Sequence, residues 1–146
     1  MIRPITEQDR TQYMQWAYDF YHSDAVLHPV PEECYRNTLN ELLASDQYLQ
    51  GYILEFEEKS VGYALLSKSF SPEVGGPIIW IEEIYIIPEV RGHGLGKEFF
   101  AFLDDRFGNI AKRLRLEAEP DNQRAISLYE SLGFHPLPYL QMVKDS

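Results

Sequence analysis

Ile78-Ile79-Trp80-Ile81-Glu82-Glu83-Ile84-Tyr85-Ile86-Ile87-Pro88, followed after two residues by Arg91-Gly92-His93-Gly94-Leu95-Gly96-Lys97, is the stretch on which the fold turns. Its first part, the β-branched and aromatic run from Ile78 to Ile87, is stopped by Pro88 and predicts a strand inside a sheet. Two acidic residues, Glu82 and Glu83, interrupt it. After the glycines, the segment from Lys97 to Phe107 carries Phe99, Phe102, Leu103 and Phe107 on one helical stripe, and Gly108 ends it. The unit is strand, loop, helix.

Upstream, Thr6 and Asp9 have the spacing of a capping box, and Tyr13, Trp16, Ala17, Phe20 and Tyr21 then recur as one face of a first helix. That aromatic stripe, with Tyr18, Tyr35 and Trp80, reads as core rather than as a cage for a cation. His22 to Val30 reads as a loop. Pro31 suits a first helical turn, and Tyr35, Leu39, Leu42 and Leu43 give a second helix ending near Ser45. Tyr52 to Glu57 and Val61 to Lys68, around the polar Glu58-Lys59-Ser60, predict an antiparallel hairpin, and Phe70 to Pro77 a loop. Downstream, Leu114 to Ala118 predicts a strand. Asp121 is placed to cap a helix bearing Ala125, Leu128, Tyr129 and Leu132 and stopped by Gly133, and Leu137 to Val143 predicts a last strand. With no repeat and no linker, residues 1 to 146 read as one mixed α/β domain.

The formal net charge of −10, from 13 basic against 23 acidic residues, repels polyanions and favours cationic partners. Nucleic acid is excluded as an expected ligand. No apolar run approaches the ~20 residues of a membrane helix, and the N-terminus lacks the basic and apolar segments of a secretory signal. A cytoplasmic setting is the expectation. Cys34 stands alone, so no internal disulfide is expected, and no cysteine pair or histidine cluster has metal-ligand spacing.

Three glycines at alternate positions before a helix let the backbone approach a ligand with its N–H groups turned inward, and the helix N-terminus adds partial positive charge. Arg91 and Lys97 add full charges, so a pyrophosphate is the natural occupant. Two other glycine motifs fail on spacing. A dinucleotide fingerprint counted from Gly92 needs glycine where Lys97 stands, and a Walker loop ending at Gly96-Lys97 needs glycine at Arg91 and Ser or Thr at Glu98.

Ile86-Ile87-Pro88-Glu89-Val90-Arg91-Gly92-His93-Gly94-Leu95-Gly96 resembles the signature of the GNAT superfamily, an apolar-x-Pro turn followed by Arg/Gln-x-x-Gly-x-Gly/Ala. Asn122 to Phe134 is similar to that family's second segment, Asn-x-x-Ala-x-x-Leu-Tyr-x-x-x-Gly-Phe. The resemblance implies a central mixed, largely antiparallel twisted sheet with a splayed central strand pair, flanked by about four helices. It implies acetyl-CoA as cosubstrate and no metal. Backbone groups of Ile84, Tyr85 and Ile86 would pair with the pantetheine arm, those of Arg91, Gly92, His93, Gly94, Leu95, Gly96 and Lys97 would hold the pyrophosphate, and Asn122 would help position the arm.

An ammonium cannot attack a thioester until it loses a proton, so such a site needs a base, and the departing thiolate needs an acid. The Glu82-Glu83 pair is similar to the acidic pair in the strand of diamine N-acetyltransferases, which makes Glu82 the first choice of base and Glu83 the second. Successive strand residues face opposite sides, so only one is expected in a given cleft. Tyr129 stands where the family's tyrosine donates a proton to the thiolate. The implied activity is transfer of an acetyl group to a small or polyamine-like primary amine. A protein or peptide acceptor, or an acyl-CoA-binding module without turnover, is the alternative. Family members often form homodimers.

Overall fold

A computed structural model describes residues 1 to 146. In chain order the elements are β1 (Ile2–Pro4), α1 (Arg10–Tyr21), α2 (Glu32–Ala44), β2 (Leu49–Phe56), β3 (Lys59–Ser71), β4 (Gly76–Ile86), α3 (Leu95–Phe107), β5 (Arg113–Leu116) and α4 (Gln123–Ser131). The sheet runs β1-β2-β3-β4-β5, antiparallel except for the parallel pairing of β4 with β5. It is the mixed, largely antiparallel sheet with four helices that the sequence implies.

Local chemistry explains most boundaries. The Asp9 carboxylate accepts from the Thr6 backbone N–H at 2.8 Å, so the expected capping residues pair, but one 3-10 turn over Glu7–Asp9 comes before α1. The hairpin of β2 and β3 turns on Glu57 and Glu58, with φ of 51° and 66°. Positive φ at both residues matches the right-handed twist of the strands, so the turn falls there and Lys59 and Ser60 join β3. Strands β3 and β4 run on through Ser71 and from Gly76, which shortens the expected loop to its centre.

Two cores sandwich the sheet. One, under α1 and α2, gathers Tyr13, Trp16, Phe20, Tyr35 and Leu39 with Ile53, Tyr63, Leu65 and Tyr85, so the aromatic stripe of α1 is core except for exposed Tyr18 and half-buried Tyr21. The other, under α3, gathers Tyr52, Leu66, Ile79, Ile81, Phe99, Phe100, Leu103 and Phe107. Both faces of β3 and β4 are covered, which is why these strands read as nearly continuous apolar runs.

The expected strand from Leu137 to Val143 is absent. This segment forms no ladder, and Tyr139, Leu140, Met142 and Val143 are exposed. Pro136 and Pro138 remove two donors at its entry, so apolar content alone does not become pairing. Its one side-chain anchor is the Tyr139 hydroxyl, which donates to Glu73 at 2.8 Å.

Candidate active site

Strand β4 keeps company with β5 only from Ile78 to Ile81, paired with Arg113 to Leu116, while β4 itself continues to Ile86. Beyond Ile81 the two strands part. The Ile87 N–H bonds the Val61 carbonyl at 2.9 Å on the β3 side, and backbone direction alternates along a strand, so the groups of Ile86 and Ile84 turn toward the gap. An extended amide-bearing chain fits such an edge as an added strand. Arg91 guards its end, its Nε donating to the Ile86 carbonyl at 2.8 Å and its guanidinium lying 5.8 Å from the Tyr85 ring centroid.

The glycine loop then delivers α3. Gly92 and Gly94 have φ of 84° and 80°, with nothing within 4 Å of where a side chain would begin, so the loop is an open cradle. Gly94 precedes the first helical turn, where the Leu95, Gly96 and Lys97 N–H groups have no intrahelical acceptor, as an anion requires. His93 leans on Phe56, ring centroids 5.0 Å apart. Helix α4 packs beside this cradle, since a methyl at Gly96 would meet Leu128 at 3.6 Å. Its cap is Asn122 rather than Asp121: the Asn122 carboxamide oxygen accepts from the Ala125 N–H at 3.2 Å, so this side chain is engaged in the helix. The adjacent Tyr129 packs edge-on against Phe100 and Phe134, and burial pushes its phenol above the usual value, which keeps it protonated.

The acidic pair departs from the expected alternation. Leu65 faces Glu83 and Leu66 faces Ile81 across the ladder, so Glu82 is an extra residue, a β-bulge. Before it Ile79 and Ile81 point to α3, and after it Tyr85 points to α1. Both carboxylates come to the α1 side: Glu83 accepts from Tyr21 at 2.5 Å and Tyr63 at 2.7 Å, and Glu82 accepts from Ser67 at 2.6 Å. They differ in access. Glu82 is exposed, while Glu83 is 9% exposed, and its burial, opposed by the two tyrosine hydrogen bonds, raises its pKa.

Sequence reasoning missed Tyr21, Tyr63 and Ser67. Tyr21 belongs to a stripe that reads as core, and no local pattern marks a strand tyrosine or serine as a carboxylate partner. Tyr13 sits in the same cluster, ring centroid 5.0 Å from Tyr63, and its buried hydroxyl has no partner. Removing an unpaired buried hydroxyl should stabilise, so Tyr13→Phe is expected to gain about 1 kcal/mol and raise Tm by about 3 °C in a thermal melt.

This assembly, with a strand parting, a glycine cradle and a tyrosine-bearing helix beside it, coincides with a known family over most of the chain: residues 10–134 match the profile described as Acetyltransferase (GNAT) family. The chain belongs to the GNAT acetyltransferase family. Among solved structures it superposes on a possible acetyltransferase from Clostridium difficile 630 with TM-score 0.82 at 20% identity, covering 100% of this chain and 97% of that one. It also matches an aminoglycoside N-acetyltransferase solved with CoA, TM-score 0.79 at 17% identity, covering 99% and 93%. Both likenesses are of fold. In sequence, 78 residues are 36% identical to thialysine N-epsilon-acetyltransferase of Bos taurus, covering 53% of this chain and 45% of that protein. The chain thus spans less than half the length of that curated relative. No helix is long and apolar enough to cross a membrane.

Proposed function

We propose that this GNAT protein transfers the acetyl group of acetyl-CoA to a small primary amine by direct attack. The observation that carries the reading is the parting of β4 from β5 between a glycine cradle on one side and two carboxylates on the other. The Ile84 groups and the Ile86 N–H on the β4 edge suit the pantetheine amides, whereas the Tyr85 groups turn to β3 and Arg91 takes the Ile86 carbonyl; with the Arg91 N–H bonded to the Pro88 carbonyl, it is the N–H groups from Gly92 to Lys97 that suit the pyrophosphate. Asn122, occupied as a helix cap, acts on the arm only through the placement of α4. The similar proteins whose names carry CoA, aminoglycoside and thialysine support the cosubstrate and a small amine.

Glu82, the exposed member of the pair, takes the proton from the acceptor ammonium. The free amine adds to the thioester carbonyl, Tyr129 gives its phenolic proton to sulfur as the C–S bond breaks, and the second proton that the nitrogen sheds on becoming an amide is returned to the Tyr129 phenolate through solvent. No covalent enzyme intermediate is needed, so exposed Cys34 has no part. The negative field of the chain concentrates cations at its surface, in keeping with an amine acceptor. Thiol release from acetyl-CoA, assayed with polyamines, amino acids, aminoglycosides and short peptides, is expected to occur with a small amine. Turnover with peptides alone would replace the acceptor class, and absence of CoA binding would end the reading.

A further inference from the structure

Glu83 is a nearly sealed carboxylate without a cation. It faces Tyr13 and Tyr21 from α1, Tyr63 from β3 and Glu82 on its own strand, while Cys34 and Tyr35 of α2 stand next to Tyr21. All ion pairs of the chain lie elsewhere. A buried carboxylate held only by neutral hydroxyls is costly when ionised, and folds keep one where a ligand supplies the missing charge. Of its two partners, Tyr63 is 0% exposed, whereas Tyr21 is half-buried, so Tyr21 is the hydrogen-bonded group through which Glu83 meets the outside.

We propose that Tyr21 and Glu83 form the subsite that holds the acceptor's ammonium, a primary alkylammonium being the chemical class. The Tyr21 hydroxyl donates to Glu83, which leaves its oxygen lone pairs to accept an N–H from the acceptor. The negative charge behind it makes that oxygen a stronger acceptor. The bulge brings Glu82 to the same face of β4 as Glu83, so a nitrogen held at Tyr21 has the proton-accepting carboxylate on the adjoining residue. Stacking of Tyr35 on Tyr21, with rings 6.0 Å apart and 10° from parallel, fixes the phenol for this task.

This inference rests on the proposed amine acetylation, and two measurements separate its failure from that of the reading beneath it. In wild-type protein saturated with CoA, n-propylammonium in excess over matched sodium chloride is expected to lower the Glu83 titration midpoint, followed by carboxyl ¹³C NMR, by about one pH unit. Neutral 1-propanol should leave it in place. An unmoved midpoint, or an equal movement with 1-propanol, overturns the subsite, and this test needs no turnover. In the acetylation assay, Tyr21→Phe is expected to raise KM for the amine by about 10- to 100-fold, with a smaller change in kcat and unchanged acetyl-CoA affinity. A fall in kcat with KM unmoved would also overturn it, since that pattern marks a group felt in the transition state and not one that holds the bound ammonium.

Discussion

Exchanging Glu82 for glutamine is expected to lower kcat/KM for the amine acceptor by about 10²–10⁴-fold, the span of a lost general base. Glutamine keeps the length of the side chain and an oxygen that can accept from Ser67, now at 2.6 Å, so the bulge has no reason to collapse. Thermal stability and CoA affinity should therefore stay near wild type. A variant that retains activity within a few-fold would move the base elsewhere, and the double variant Glu82→Gln, Glu83→Gln would show whether the neighbour substitutes. A loss accompanied by weaker CoA binding would instead indicate that the substitution deformed β4.

Gly62→Ala is the second change with a large expected effect, and it acts through backbone. Gly62 pairs with Ile86, and a methyl there would lie 2.0 Å from the Tyr85 carbonyl oxygen and 3.0 Å from the Ile86 Cα. Neither is the end of a side chain, so nothing can swing aside. Strands β3 and β4 must move apart where β4 presents Ile84 to Ile86 to the gap. The expected cost is about 3 kcal/mol, a Tm lower by about 6–12 °C, with CoA affinity falling together with stability. A melt within a degree of wild type would contradict the closeness of these strands. Unchanged CoA affinity in a clearly destabilised variant would separate the β4 edge from cofactor binding.

The two expectations rest on different kinds of legibility. The glycine cradle was visible because its conformational demand is local: Gly92 and Gly94 need left-handed backbone, and a helix stripe begins immediately afterwards. Tyr129 was visible as one turn of an amphipathic helix beside Leu128 and Leu132. The terminal segment misled for an equally local reason, since its apolar content from Leu137 to Val143 reads as a strand while Pro136 and Pro138 withhold donors at its entry. Asp121 and Asn122 are both good caps, and only the path of the chain into α4 chose between them.

The succession from α1 to α4, the acidic pair, the glycine cradle and membership of the GNAT family were legible in the sequence alone, because each is written in contiguous residues, whereas strand β1 and the unpaired terminal segment were not. Which way the acidic pair points was decided by tertiary structure. One residue more on β4 than on β3 at the Leu65/Leu66 step brings two neighbouring carboxylates to one face, and strand alternation read from β4 alone predicts the opposite. The partners of Glu83 come from 62 and 20 residues away, Tyr21 on a helix and Tyr63 on the adjoining strand. A carboxylate's access, charge partners and proton affinity are properties of what packs around it, and no pattern within a strand records them.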